Sequence, residues 1–168
     1  MKILGIDTST HSTSVCVIDD DKFICEYTVN TKKTHSQKLM VMIESMIKES
    51  DLSIKDIDAI AICIGPGSFT GLRISMATAK AIAQVRNLPV IAVDSLESLA
   101  FNINNCEKTI CSILDAQKNQ VYTGKYRFEN GELKTIEEIK VVKIDELIEE
   151  ISQSEDEFIL VGEAVSIY

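Results

Sequence analysis

An uninterrupted apolar run at residues 59–64 constrains the fold more than any other segment of the chain. It has the length of a β-strand, and because it offers no polar face it predicts a central strand that is covered on both sides. The run leads into a loop that contains Gly65, Gly67 and Gly71, and an alanine-rich helix is predicted from there to about Arg86. A buried strand, a tight loop and a helix in succession are typical of α/β proteins.

The order of predicted elements occurs twice along the chain. Three strands, a helix, a strand and a glycine are predicted at 3–7, 13–18, 23–29, 35–48, 59–64 and 65. The same order is predicted again at 109–114, 121–128, 135–142, 145–151, 158–161 and 162, with a hairpin turn at Asn130-Gly131 between the second and third of these strands. We therefore expect two duplicated α/β halves, at residues 1–103 and 104–168. The first half continues with a helix, a strand at 89–93 and a helix capped by Asp94, whereas the second stops soon after Gly162. We expect the second half to be C-terminally incomplete.

Composition and charge exclude several classes of protein. Hydrophobic residues make up 45% of the chain and charged residues 26%, which is not the composition of a disordered protein. No apolar run approaches the ~20 residues of a membrane span, so we expect a soluble, cytoplasmic protein with no membrane contact. The net charge is −9, and most of it lies in residues 104–168. Because phosphate backbones are bound by clustered Lys and Arg, we expect RNA to be reached only indirectly, through a partner.

The glycine loop after residue 64 and the turn after the first strand are the candidate ligand sites. Glycines let the backbone approach a ligand, and the start of a helix attracts anions. The spacing fits neither a P-loop nor the G-x-G-x-x-G motif, because Thr70 stands where the P-loop motif requires glycine. A packed turn and an anion or nucleotide contact therefore both remain open. The candidate nucleotide-binding residues are Asp7, Ser9, Thr10, Gly65, Gly67 and Ser68. Asp115 ends a strand of the second half, as Asp7 ends the first strand, and the two acids are interpreted as a matched pair.

Catalytic and metal sites are not predicted. The chain has two histidines, His11 and His35, and no H-E-x-x-H motif of a metallopeptidase or G-x-S-x-G motif of a hydrolase. The apolar positions of helix 35–48 instead cover a wider arc than the ~100° that faces one core. Either this helix lies deep in the chain's own core or it binds a partner. The candidate partner-contact residues on it and on the next helix are His35, Leu39, Met42, Ile43, Met46, Gly71, Ser75 and Thr78.

Several motifs resemble the TsaB (YeaZ) family of bacterial tRNA threonylcarbamoyladenosine biosynthesis proteins. They are the N-terminal stretch through Thr10, the His35-Ser36 pair, residues 64–74 with the specific Gly-Pro-Gly-Ser-Phe-Thr-Gly-Leu-Arg sequence, the segment at 114–122, and Val161-Gly162-Glu163. The resemblance covers essentially the whole chain. Two positions depart from the family pattern, with Ser75 in place of the usual glycine and Gln117 in place of a common arginine.

The resemblance implies the actin-like, Hsp70 and sugar-kinase type of fold. It also implies a noncatalytic subunit that pairs with TsaD, the transferase acting on adenosine 37 of tRNAs that read ANN codons, and that is joined by the ATPase TsaE. Family members alone form homodimers through the first-half helices, here residues 35–48 and 70–86. No cofactor is expected to be required by this chain, while ATP or ADP with Mg²⁺ at a shared interface is left open. The alternatives are an ATP-binding ATPase or kinase of the same fold, for which Asp7 and the glycine loop would hold the nucleotide, and a metallopeptidase.

Overall fold

The computed structural model describes residues 1–30, 35–104 and 106–168. The chain divides into two compact units, Met1–Val93 and Asp94–Tyr168. The division into halves at residues 103 and 104 stays a prediction. Within the described residues, no helix is both long enough and apolar enough to pass through a bilayer.

The first unit is a five-stranded mixed sheet with both helices on one face. Its elements are β1 (Lys2–Asp7), β2 (Thr13–Asp19), β3 (Lys22–Val29), α1 (His35–Glu49), a 3₁₀ turn (Ile54–Asp56), β4 (Ala59–Gly65), α2 (Phe69–Arg86) and β5 (Val90–Asp94). The strand order is β3-β2-β1-β4-β5, with β1 antiparallel to β2 and parallel to β4. The crossover from β3 to β4 through α1 therefore spans two strands, which places α1 over the centre of the sheet.

The core of this unit lies between the sheet and its two helices. Strand side chains that alternate toward the helices, such as Leu4, Ile6 and Ile60, pack against α1 and against the small residues Ala79 and Ala83 of α2. The apolar run at 59–64 forms β4 between β1 and β5, as predicted. The strand predicted at 89–93 as buried is instead an edge strand, and Val90 and Ile91 are 41% and 40% exposed because β5 has a sheet neighbour on one side only.

The second unit is a four-stranded sheet with one helix on each face. Its elements are α3 (Ser95–Phe101), β6 (Thr109–Asp115), β7 (Gln120–Glu129), β8 (Glu132–Lys143), α4 (Ile144–Gln153), β9 (Phe158–Val161) and a 3₁₀ turn (Glu163–Ser166). The strand order is β8-β7-β6-β9, which repeats the β3-β2-β1-β4 order of the first unit. The predicted duplication is thus confirmed in topology. The predicted Asn130-Gly131 turn joins β7 to β8, with both residues at positive φ, as a two-residue hairpin requires.

Candidate functional site

The glycine loop forms the connection between β4 and α2. Gly65 ends β4 with a φ of 107°, a backbone conformation that residues with a side chain rarely adopt. Ser68 is the N-cap of α2, and its side chain accepts a hydrogen bond from the Gly71 amide at 3.2 Å. The cap already uses one of the amides that an anion at the helix start would need.

The loop packs directly on the turn between β1 and β2. The Ser68 amide donates to the Ser9 carbonyl at 2.6 Å, and the Thr8 hydroxyl donates to the Gly71 carbonyl at 2.7 Å in a fully buried contact. A Cβ atom at Gly71 would lie closer than 3.0 Å to the Thr8 carbonyl oxygen, a separation that real Cβ atoms do not show. A Cβ atom at Gly67 would meet the Ser9 carbonyl in the same way. These glycines therefore permit a close approach of two segments of this chain.

The polar groups of the β1–β2 turn are engaged with its own backbone. Asp7 Oδ1 accepts a hydrogen bond from the Ser9 amide at 2.7 Å, and the Thr10 hydroxyl accepts one from the Ser12 amide at 3.3 Å. Such bonds are typical of Asx and Ser/Thr turns. The structure thus brings the candidate nucleotide-binding residues together at the carboxyl ends of β1 and β4, but with several of their polar atoms already paired. Nucleotide binding by these residues stays a prediction.

Asp115 does not occupy the same position in its sheet as Asp7. In β1, Leu4 and Ile6 face α1, so by alternation Asp7 faces the opposite side. In β6, Cys111 and Ile113 face α4, and Asp115 shares their side of the strand. The interpretation of the two acids as a matched pair is therefore wrong. Asp115 is shifted by one residue along its strand relative to Asp7, and a one-residue shift moves a side chain to the other face of the sheet.

His35 attaches the start of α1 to the sheet. Its Nδ1 atom lies 2.7 Å from the Thr13 hydroxyl at the beginning of β2. Burial, followed by the charges of Lys38 and His11, lowers the pKa of His35, while Asp7 and a hydrogen bond to the Thr10 backbone act in the opposite direction. Neutral imidazole is therefore the favoured form, and it serves to position α1. No group of three metal-ligating side chains occurs among residues 1–30, 35–104 and 106–168.

Most of the predicted partner-contact residues lie inside the first unit. Leu39, Met42, Ile43 and Met46 are between 0% and 7% exposed and belong to its core, and Gly71 and Ser75 are also buried. The wide apolar arc of α1 arises because this helix faces the sheet below it and α2 beside it, so that the first unit covers the arc except at Met40. These six residues are buried and not accessible to a partner in this structure, which corrects the sequence-based assignment.

A shallow apolar groove runs between α1 and α2 on the outer surface. Met40 of α1 is 53% exposed and Val85 of α2 is 85% exposed. The groove has a volume of about 570 Å³. We call it the α1–α2 groove, and its principal lining residues are Met40, Ala77, Thr78, Ala81, Ile82 and Val85. Of the predicted contact residues only Thr78 lines it. The small residues Ala77 and Ala81 are a sequence signal for this face, because they allow close approach by another helix, and Val85 follows at the same spacing.

Comparison with known proteins agrees with this architecture. The model of the family described as "TsaD: tRNA N6-adenosine threonylcarbamoyltransferase" matches residues 25–168. The tRNA threonylcarbamoyladenosine biosynthesis protein TsaB of Bacillus subtilis is 34% identical over 168 residues, which are all of this chain and 73% of that protein.

Two solved structures extend the comparison. YeaZ from Pseudomonas aeruginosa superimposes with a TM-score of 0.75 at 29% identity, and the match covers 84% of this chain and 66% of that one. Component A of the (R)-2-hydroxyglutaryl-CoA dehydratase of Acidaminococcus fermentans superimposes with a TM-score of 0.52 at 14% identity, over 86% of this chain and 48% of that one. The latter shows likeness of fold alone, of the actin-like and sugar-kinase type. The match to the Bacillus protein over all of this chain shows that the chain belongs to the TsaB family of tRNA threonylcarbamoyladenosine biosynthesis proteins.

Proposed function

We propose that this chain acts in tRNA threonylcarbamoyladenosine biosynthesis as a noncatalytic subunit that binds TsaD. Its family and its match to the TsaD model support the pathway. The observation that carries the docking role is the exposed α1–α2 groove, an apolar surface on two adjacent helices. Contiguous exposed apolar surface of this kind marks sites of protein–protein contact.

The shape of the groove suits a helical partner. Ala77 and Ala81 lie one helical turn apart and are exposed, so another helix can approach the α2 backbone closely. Met40 and Val85 flank these alanines, and the flexible Met40 side chain can adapt to side chains of the partner. Because TsaD and this chain share a family model, the same groove serves TsaD in the complex and a second copy of this chain when TsaD is absent. TsaE joins the assembled pair, and tRNA is contacted only through the complex.

The glycine loop supports a structural role rather than catalysis by this chain. Its closest neighbours are the Thr8 and Ser9 backbone, and the Asp7 carboxylate is hydrogen-bonded to its own turn. A nucleotide-binding loop would present these groups to a ligand. We propose that ATP or ADP with Mg²⁺, where it is bound, lies at an interface shared with a partner. The second candidate function, an ATPase or kinase, derives from the fold alone.

Reconstitution of the reaction tests the proposal. Purified TsaD, the enzymes that supply threonylcarbamoyl adenylate and an unmodified ANN-reading tRNA are combined with and without this chain, and modified adenosine is quantified after digestion to nucleosides. We expect modification to require this chain. Equal modification without it would contradict the proposal. ATP hydrolysis by the isolated chain, lost in Asp7→Ala, would support the ATPase instead.

A further inference from the structure

The outer surface of α2 is basic, although the chain as a whole is acidic. The chain has 26 Asp and Glu residues and a net charge of −9, yet residues 59–93, which include all of α2, contain no Asp or Glu. α2 carries Arg73, Lys80 and Arg86. Arg86 donates hydrogen bonds to two backbone carbonyls of the 3₁₀ turn before β4. Arg73 and Lys80 are exposed, and in the described part of the chain neither has a carboxylate within 4.0 Å. Their positive charges are therefore available to a partner.

Phe69 holds the guanidinium group of Arg73 in a defined position. The Arg73 Cζ atom lies 4.1 Å from the centre of the Phe69 ring, which is a cation–π contact. Phe69 lies one helical turn before Arg73, and the stacking occurs because side chains of a helix lean toward its N-terminus. Phe69 is itself 68% exposed, so the stacked pair lies at the surface. Because the guanidinium group is already ordered, binding an acceptor to it costs less conformational entropy than binding to a mobile side chain.

The stacked pair lies next to the α1–α2 groove. Ala77, which lines the groove, follows Arg73 by four residues in α2, and residues four apart lie on the same side of a helix. A partner helix seated along Ala77 and Ala81 would therefore pass Arg73. Arginine and aromatic residues are the types that most often dominate the energy of protein interfaces. An apolar groove with one ordered cation beyond its end favours one direction of the partner helix over the other.

We infer that the partner helix in the α1–α2 groove carries a carboxylate that pairs with Arg73. This inference rests on the proposed function, because it concerns the partner that the groove binds. A carboxylate accepts two parallel N–H bonds from a guanidinium group, and the absence of acids from residues 59–93 leaves that role to the partner. A second copy of this chain that packed α2 against α2 would bring Arg73 and Lys80 close to like charges. The charge of α2 therefore favours an acidic partner helix over self-association.

Isothermal titration with TsaD tests the inference. Arg73→Met removes the charge and keeps an unbranched side chain, and Lys22→Met makes the same charge change at an exposed position of β3. At low ionic strength we expect Arg73→Met to bind TsaD about 10-fold more weakly than the unaltered chain, and the difference should shrink as salt is added. Arg73→Lys should bind with intermediate affinity because it keeps the charge but loses the planar group. Lys22→Met should bind like the unaltered chain. Equal affinity of Arg73→Met and the unaltered chain would overturn the inference.

The outcomes separate this inference from the proposed function. If TsaD does not bind the unaltered chain, both are wrong. If TsaD binds the unaltered chain and Arg73→Met equally but binds Ala81→Glu weakly, the groove is the docking site and only the paired carboxylate is wrong. The thermal midpoint of Arg73→Met should match that of the unaltered chain because the side chain is exposed, so weaker binding would not reflect unfolding.

Titration of the isolated chain with an unmodified tRNA tests the other ligand that a basic surface could bind. We expect no saturable binding, because two exposed cations on a chain with a net charge of −9 are too few to hold a phosphate backbone. RNA binding that is lost in Arg73→Met would assign the basic surface to RNA and overturn the inference.

Discussion

Substitution of Gly71 by alanine provides a sharp test of the role of the glycine motif. Gly71 lies in the first turn of α2 with an ordinary helical backbone, so helix propensity alone predicts that alanine stabilises the chain by about 1 kcal/mol. The structure predicts the opposite, because the added Cβ atom would overlap the Thr8 carbonyl oxygen. The Cβ atom would be fixed to the backbone of α2 and the oxygen belongs to the buried turn between β1 and β2, so relief requires α2 to move away from that turn.

The expected loss follows from two contributions. Overpacking of a tight contact costs about 1–3 kcal/mol, and separation of the segments breaks the buried hydrogen bond from the Thr8 hydroxyl to the Gly71 carbonyl, at about 1–3 kcal/mol. After subtraction of the gain in helix propensity, we expect a net loss of about 3 kcal/mol and a fall in the thermal midpoint of about 6–12 °C.

Thermal and urea denaturation of Gly71→Ala and of a matched control measure this loss. The control is Gly131→Ala, since a Cβ atom there meets no atom within 4 Å and only the positive φ of 84° opposes it. We expect the control to lose about 1 kcal/mol. If Gly71→Ala is as stable as the unaltered chain, the motif is not a packing device and the glycines remain available to a ligand.

Three further perturbations have defined outcomes. Asp94 accepts hydrogen bonds from the amides at the start of α3, so Asp94→Ala should cost about 1 kcal/mol in urea denaturation, and an unchanged midpoint would contradict the cap. The pKa of folded His35 lies below its ordinary 6.5, so the unfolded chain takes up the proton first and stability should fall as the pH drops below 6.5. His35→Gln should make stability less dependent on pH in this range. An identical pH dependence in both proteins would show that His35 is not the group responsible. A hydrogen bond from Lys125 is the main cause that lowers the pKa of Glu150, so Lys125→Met should raise that pKa toward its ordinary value in an NMR titration. The accompanying loss of stability should stay below about 1 kcal/mol because the Glu150 side chain is 42% exposed.

Local signals in the sequence were sufficient to predict the strands, helices and turns. Alternation and apolar runs located the strands, and β9 was predicted at its observed bounds. The cap at Asp94 and the Asn130-Gly131 turn were recognised because each depends on neighbouring residues only. The repeated order of elements then predicted the repeated strand order of the two sheets.

Features that depend on tertiary contacts could not be predicted from local sequence signals. Periodicity shows that Met42 and Met46 are buried, but it does not show whether a sheet, a neighbouring helix or another protein buries them. The mismatch of Asp7 and Asp115 arises from strand register, which the order of elements does not specify. The close contact of Gly71 with Thr8 joins residues far apart in the chain and required the folded structure.

The central claim is that the α1–α2 groove binds TsaD, and an affinity measurement tests it directly. Isothermal titration of TsaD with Ala81→Glu, which places a charge on the floor of the groove, is compared with Gln84→Glu, which makes the same charge change at an exposed α2 position outside the lining. Burial of an unpaired carboxylate at about 3 kcal/mol predicts affinity weakened by about 100-fold for Ala81→Glu. The Gln84→Glu variant should bind like the unaltered chain. Unchanged binding of a correctly folded Ala81→Glu variant would contradict the account.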